Sequence, residues 1–173
     1  MSLLAPTLPL WSTTDLREDE ASPPCRMLLD RLRQLHGGFP VPKSAFRPED
    51  LSPSLLPRLC LLEALPDGEF RFRLFAAALA AAYGEDLTGR LLRHAVTGEP
   101  TDAVHRIYRE TVASGQPRVT RTRVRTSSLP MTYDRVICPL ADEAGAVRWV
   151  LVLLVVVERA DHMTVLEAIR SAR

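Results

Sequence analysis

The sequence has few cysteines, and none of them is placed for disulfide or metal chemistry. Cys25, Cys60 and Cys138 are odd in number, lie far apart and form no CxxC pair. This pattern argues against a disulfide framework or a zinc site, and it fits a reducing compartment. We therefore expect a cytoplasmic protein without a structural metal.

The sequence also lacks an excess of either charge and a long hydrophobic run. It has 22 Lys and Arg against 21 Asp and Glu, which gives a net charge of +1 and no overall attraction to nucleic acid or to an anionic membrane. The longest apolar run, Trp149 to Val157, is far shorter than the roughly 20 residues of a membrane helix. The apolar start of the chain has no basic region and is broken by two prolines, so we do not expect a signal peptide. We expect neither a nucleic-acid nor a membrane partner.

No catalytic motif is recognisable in the sequence. It contains no Ser-His-Asp arrangement, P-loop, HExxH motif or paired-carboxylate signature, and no phosphoacceptor helix pair or nucleotide-binding glycine box of a histidine kinase. The expectation is a protein that is not an enzyme.

The most informative stretch runs from Phe70 to Arg90. Phe70, Phe72 and Leu74 alternate with arginines at the two-residue period of a half-buried strand. The alanine-rich segment 76–83 follows directly and favours a helix, which Gly84 would end in a left-handed conformation. A strand that continues into so slim a helix predicts the wall of a pocket.

The remaining elements are read from the same patterns. Residues 1–24 are predicted to be a proline-rich leader that is loose or draped over the domain, with Trp11 as a docking residue, and Asp67-Gly68 predicts a hairpin turn. We divide the chain into this leader, a domain over 25–160 and a helical tail over 161–173. The predicted helices are 25–36 and 101–114, and the predicted further strands are 58–65, 118–126, 133–140 and 146–157.

Two predicted elements leave open what covers them. The last strand is apolar on both faces, so one face must meet the pocket helices and the other the amino-terminal helix or a second subunit. Leucines at 28, 29, 32 and 35 recur at helical spacing in the helix 25–36. This stripe covers the sheet or forms a dimer, and the pattern does not choose between the two.

The order strand, strand, short helices, longer helix and three strands resembles that of PAS domains. The segment AAALAAAYGEDLTGR is similar to the helix-turn of the family, and YDRVICPLADEAGAVRWVLVLL is similar to its closing hairpin. The proline-rich lead PVPKSAFRPEDLSPSLLPRL before FRFRL resembles a bacterial single-domain PAS subfamily. The resemblance covers 25–158 and implies an α+β fold, with a five-stranded antiparallel sheet, helices on one face and the amino-terminal helix covering or extending the other.

The resemblance also implies a ligand cavity between the helices and the sheet. The predicted ligand-binding residues are Phe72, Tyr83, Arg90, Val104, His105, Tyr108, Tyr133 and Trp149. His105 lies on the helix that carries the proximal histidine in haem-binding relatives, so haem is one alternative, and a partly buried or solvated histidine is the other. Flavin photochemistry of the light-sensing type is disfavoured, because the stretch GRLLRHAV has no cysteine. The stripe Arg121, Arg123 and Arg125 is interpreted as a solvated strand face or one that pairs with acidic residues.

These features predict a sensory or signal-transduction module of PAS type that binds a small apolar or aromatic ligand. Its output would pass to a protein partner such as a histidine kinase, or through a homodimer. The alternative is a structural homodimerisation or adaptor protein whose core is filled by its own side chains.

Overall fold

The computed structural model describes residues 11–95, 100–124 and 131–158. The predicted helical tail 161–173 and Arg125 lie outside these ranges. Within them, the helices are α1 (Pro23–His36), α2 (Ala77–Tyr83) and α3 (Thr101–Ser114). The strands are β1 (Trp11–Asp15), β2 (Val41–Pro42), β3 (Leu59–Ala64), β4 (Phe70–Phe75), β5 (Arg118–Val124), β6 (Met131–Ala141) and β7 (Val147–Glu158).

All the strands of the described chain belong to one sheet, in the order β1-β5-β6-β7-β3-β4, and the short β2 pairs with the end of β6. The five predicted strands β3 to β7 pair with one another in antiparallel fashion. The connection from β4 to β5 carries α2 and α3. The predicted α+β class is therefore confirmed, and the five predicted antiparallel strands form the core of a sheet of seven strands.

Helix α1 covers one face of this sheet. Its buried side chains Cys25, Leu28, Leu29 and Leu32 form one cluster with residues of β3, β6 and β7. We call this side of the sheet the α1 face and the side that meets α2 and α3 the cavity face. Leu28, Leu29 and Leu32 of the leucine stripe are thus covered by the chain's own sheet, which is one of the two coverings that the sequence left open, whereas Leu35 is 38% exposed.

The amino-terminal segment adds a strand that the sequence pattern did not indicate. Strand β1 pairs antiparallel with β5, from Trp11 opposite Val124 to Asp15 opposite Thr120. The hydroxyls of Thr13 and Thr122 lie 2.9 Å apart across the two strands. The leader therefore extends the sheet by one strand.

A buried ion pair fixes the start of α1 to the α1 face. The Asp134 carboxylate is fully buried, and Arg121 donates to both of its oxygens at 2.7 and 2.9 Å. The backbone N–H of Ser22, at the start of α1, donates to the same carboxylate at 2.8 Å. Burial alone would raise the pKa of Asp134, but the Arg121 guanidinium and the Ser22 N–H together hold that pKa below its usual value. The acidic partner expected for the arginine stripe is present at Arg121.

Replacement of Asp134 by Asn is expected to lower the free energy of unfolding at pH 7 by about 2 kcal/mol, because it removes the buried negative charge that accepts hydrogen bonds from Arg121 and from the Ser22 N–H. A lowered folded-state pKa stabilises the fold above the unfolded value near 3.9, and this contribution is lost as the pH falls through the folded pKa. Urea unfolding should therefore give a difference from wild type that narrows between pH 7 and pH 3. Asp30→Asn, at an exposed position of α1, serves as the control. An equal difference at both pH values would contradict this role of Asp134.

Candidate functional site

A cavity of about 280 Å³ lies between α2, α3 and the cavity face of the sheet. This volume is near the lower end of the roughly 300–1,000 Å³ typical of small-molecule pockets. The side chains that line it are Arg58, Cys60, Phe72, Phe75, Ala78, Leu79, Ala82, Tyr83, Leu87, Leu92, Ala95, Val104, Tyr108, Tyr133, Arg135, Leu154 and Val156.

Helix α2 leaves room for the cavity because its side chains are small. Ala78 and Ala82, one helical turn apart, both line the cavity, and Leu79 is the larger side chain beside them. The helix ends after Tyr83, where Gly84 takes φ +99° and donates its N–H to the carbonyl of Ala80 at 2.8 Å. The alanine run that favours the helix therefore also opens the space in front of the sheet.

Aromatic side chains that pack against one another form much of the cavity wall. Phe75 contacts both Phe72 and Tyr83 edge to face, with ring centroids 5.4 and 5.9 Å apart. Phe70 and Tyr108 make a similar contact at 5.5 Å and join β4 to α3. Such contacts contribute about 0.5–1.5 kcal/mol each beyond the burial of their area. The aromatic part of the wall is therefore held by direct packing between β4, α2 and α3.

The charged side chains of the described cavity lining are all positive, and its other polar side chains are tyrosines. Arg58 and Arg135 are its charged residues, and no Asp or Glu stands among them. The phenol-bearing residues Tyr83, Tyr108 and Tyr133 are all the tyrosines of the chain. Arg135 is 3% exposed, and its guanidinium carbon lies 5.8 Å from the centroid of the Tyr108 ring. The cavity is thus apolar and aromatic, with a buried cation on its sheet side.

The structure brings five of the eight predicted ligand-binding residues together around this cavity. They come from the strands β4 and β6 and from the helices α2 and α3. The five are Phe72, Tyr83, Val104, Tyr108 and Tyr133. Whether they contact a ligand remains a prediction.

The other three predicted residues lie elsewhere. Trp149 packs with the cluster on the α1 face, where the Lys43 ammonium lies 5.9 Å from its ring centroid. The side chain of Arg90 is 59% exposed and lies 3.6 Å from Glu85. The contact of Arg90 with the cavity residues is made by its backbone, because its carbonyl accepts the N–H of Phe72 at 2.9 Å. His105 is buried but is absent from the cavity lining.

Both ring nitrogens of His105 are engaged by the chain itself. Nδ1 lies 2.8 Å from the carbonyl oxygen of Thr101, which can only accept, so Nδ1 carries a hydrogen. Nε2 lies 2.5 Å from Oε1 of the buried Glu69, so this nitrogen too is occupied by a side chain of the protein. Neither nitrogen offers a lone pair to a haem iron in this arrangement. Among the described residues, no group of three or more His, Cys, Asp or Glu is positioned to hold a metal ion.

The Glu69 carboxylate instead anchors α3 to the turn between β3 and β4. Its Oε1 lies 2.5 Å from Nε2 of His105 on α3 and accepts the backbone N–H of Phe70 at 2.8 Å, and Arg93 lies 3.7 Å from its other oxygen. In the same turn, the Gly68 carbonyl accepts from Arg109 of α3 at 2.8 Å. The predicted Asp-Gly turn therefore fixes the helix that forms one wall of the cavity.

Cys60 lines the cavity, and its thiol is expected to be unreactive at neutral pH. Burial raises the pKa of its thiol to about 12, although the nearby Arg135 acts in the opposite direction. The thiolate is the reactive form of cysteine, and it is scarcely populated at neutral pH at such a pKa. Cys60 therefore contributes a small apolar surface to the cavity.

Arg135 and Arg58 are the charged residues of the described cavity lining, and the sequence analysis predicts neither of them as a site residue. Tyr133 was predicted to line the cavity, and residues two apart on a strand share a face, so the period of β6 places Arg135 beside it. That signal was present in the sequence.

The chain has little detectable similarity to known proteins. No family model matches it, and no curated protein matches it. Solved structures with a related backbone include a fungal LOV domain photoreceptor, at 23% identity over 57% of this chain and 72% of that one, with a TM-score of 0.42. A mutant of Vivid matches at 13% identity over 74% of this chain and 98% of that one, with a TM-score of 0.47.

An RNA-binding light-oxygen-voltage receptor matches at 17% identity, with a TM-score of 0.44. The match covers 94% of this chain but 41% of that receptor. These likenesses are low, so the fold rests on the strand order and register described above. Among the described residues, no helix is long and apolar enough to cross a membrane.

Proposed function

We propose that this protein is a PAS-type sensory module that binds a small apolar or aromatic ligand in the cavity between α2, α3 and the sheet. The observation that carries the proposal is the cavity itself. It is lined mainly by apolar and aromatic side chains, its wall contains an alanine-rich helix, and few polar groups converge on it. Pockets of this composition are the usual sites of small-molecule binding.

Signalling would require the ligand to bind two states of the protein with different affinities. Helix α2 is the element that we propose to differ between the two states. It is a helix of seven residues, and its alanines form one wall of the cavity. The proposed output is a change at the protein surface that a partner reads, and a histidine kinase is one class of such partner. In this proposal the protein performs no reaction of its own.

A homodimer is a second proposal, and it would use the outer side of α1. Met27 and Leu35 are 46% and 38% exposed there, and their spacing of eight residues places them on one side of the helix. The buried Leu28 and Leu32 cannot serve this purpose while they pack on the chain's own sheet.

Native mass spectrometry of freshly purified protein, followed by calorimetric titration, tests the ligand proposal. We expect either a co-purified small molecule or, for the empty protein, saturable binding of the aromatic probes phenylacetate and phenylacetamide. Protein that carries no bound mass and binds neither probe would contradict the proposal. It would favour the alternative of an interaction protein with a closed core.

A further inference from the structure

We propose that the cavity takes a flat aromatic ligand of no more than two fused rings, that flavin and haem do not fit it, and that Ala78 and Ala82 of α2 set this limit. The inference rests on the proposed ligand-binding function and names the size and chemical class of the ligand. It follows from the volume of the cavity and from the side chains that line it.

The volume of the cavity limits the size of the ligand. A protein cavity of about 150 Å³ holds one benzene molecule. In proportion, the 280 Å³ between α2, α3 and the sheet holds a ligand of about 11 non-hydrogen atoms, which is the size of two fused rings. A flavin carries three fused rings and a ribityl chain, and a haem is larger still. Neither group fits within this volume.

The side chains of the described lining do not match the usual contacts of either cofactor. The pyrimidine edge of a flavin alternates carbonyl and N–H groups, which side-chain amides can pair with, and the described lining contains no Asn or Gln. A haem iron is commonly held by a histidine nitrogen, and the described lining contains no His. His105 lies outside that lining, and each of its ring nitrogens is within 2.8 Å of an oxygen of the chain itself.

The lining residues differ in their exposure to solvent. Val104 and Leu92 are 1% and 2% exposed. Val156 is 41% exposed, and Ala78 is exposed as well, so the cavity opens to solvent beside these two residues. Apolar surface contributes to affinity where it leaves water. A third ring would extend through this opening, remain in water and add little to the affinity.

Helix α2 determines how much room a ligand has in front of the sheet. Ala78 and Ala82 line the cavity one helical turn apart, and any larger side chain at either position would occupy part of the space. The helix is held in place by its buried Tyr83, whose ring packs against that of Phe75 with centroids 5.9 Å apart. The two alanines are therefore positions at which the size of the accepted ligand can be changed without altering the sheet.

Calorimetric titration with pyridine, quinoline and acridine tests the proposal, because these probes place one nitrogen on one, two and three fused rings. All three are uncharged in mildly alkaline buffer. We expect wild-type protein to bind quinoline about tenfold more tightly than pyridine, since the second ring adds buried apolar surface. Acridine should bind no more tightly than quinoline, and riboflavin should show no binding.

Ala82→Leu should reduce the affinity for quinoline to about that for pyridine, because the larger side chain takes the place of the second ring. Ala81→Leu is the matched control, since Ala81 is exposed, adjacent on α2 and outside the described lining. It should bind all three probes as wild type does. Leu79→Ala makes the opposite change at a lining residue of the same helix and should let acridine bind more tightly than quinoline. This second variant keeps the proposal testable if Ala82→Leu does not fold.

Wild-type protein that binds acridine or riboflavin more tightly than quinoline, or that binds pyridine and quinoline equally, would overturn the proposal and leave the ligand-binding function standing. The same conclusion would follow if Ala82→Leu and Leu79→Ala folded and bound the probes as wild type does. Absence of binding by every aromatic probe, phenylacetate and phenylacetamide included, would instead remove the proposed function itself, so the two failures are distinguishable.

Discussion

Leu32→Ala should lower the free energy of unfolding by about 3 kcal/mol, within the range of 2–5 kcal/mol for fully buried leucines. Leu32 is completely buried between α1 and the sheet, in one cluster with β6 and β7. The substitution leaves a cavity there that the neighbouring side chains fill only in part. For a domain of this size the melting temperature should fall by roughly 10 °C.

Leu35→Ala is the matched control, because it makes the same substitution on the same helix at a position that is 38% exposed. Its free energy of unfolding should stay within about 0.5 kcal/mol of wild type, as is usual for surface sites. Size-exclusion chromatography of the same pair separates packing from dimerisation. A loss of dimer in Leu32→Ala without a loss of monomer stability would contradict the packing described for α1.

Ala82→Trp should abolish binding of phenylacetate and phenylacetamide without unfolding the protein. Ala82 is a half-buried residue of α2 that lines the cavity, and an indole at this position would project into the space that a ligand needs. Overpacking costs typically 1–3 kcal/mol, so a modest decrease in stability is expected. Calorimetric titration should then detect no binding.

Ala81→Trp provides the control, since Ala81 is exposed and adjacent on the same helix but absent from the cavity lining. Both variants place Trp in α2 at the same cost in helix propensity. Ala81→Trp should bind both probes as wild type does. If Ala82→Trp folds and still binds them with wild-type affinity, the binding site is not this cavity.

The elements with strong local signals could be predicted from the sequence almost to the residue. Helix α3 has the predicted bounds, because Pro100 precedes its first turn and Gly115 follows its last in a left-handed conformation. Strands β3 and β4 and the turn between them follow from period-two alternation and Asp-Gly. Here local chemistry and the final fold agree.

The features that depend on distant partners could not be predicted in the same way. Strand β1 pairs with a strand more than 100 positions further along the chain, and no local pattern names that partner. Trp149 is predicted to line the cavity but lies on the α1 face, because β7 is apolar on both faces and its pattern does not identify which face meets α3. His105 lies at the border of its helical stripe, and its partner Glu69 is 36 positions away.

The most direct test of the account is methyl NMR of leucine-labelled protein during titration with phenylacetate. Leu79, Leu87, Leu92 and Leu154 line the cavity, whereas Leu28, Leu29 and Leu32 lie on the opposite face of the sheet. We predict that the methyl signals of the first group shift to saturation and that those of the second change little. If the titration leaves the first group unchanged, or moves only the second, the cavity is not the ligand-binding site.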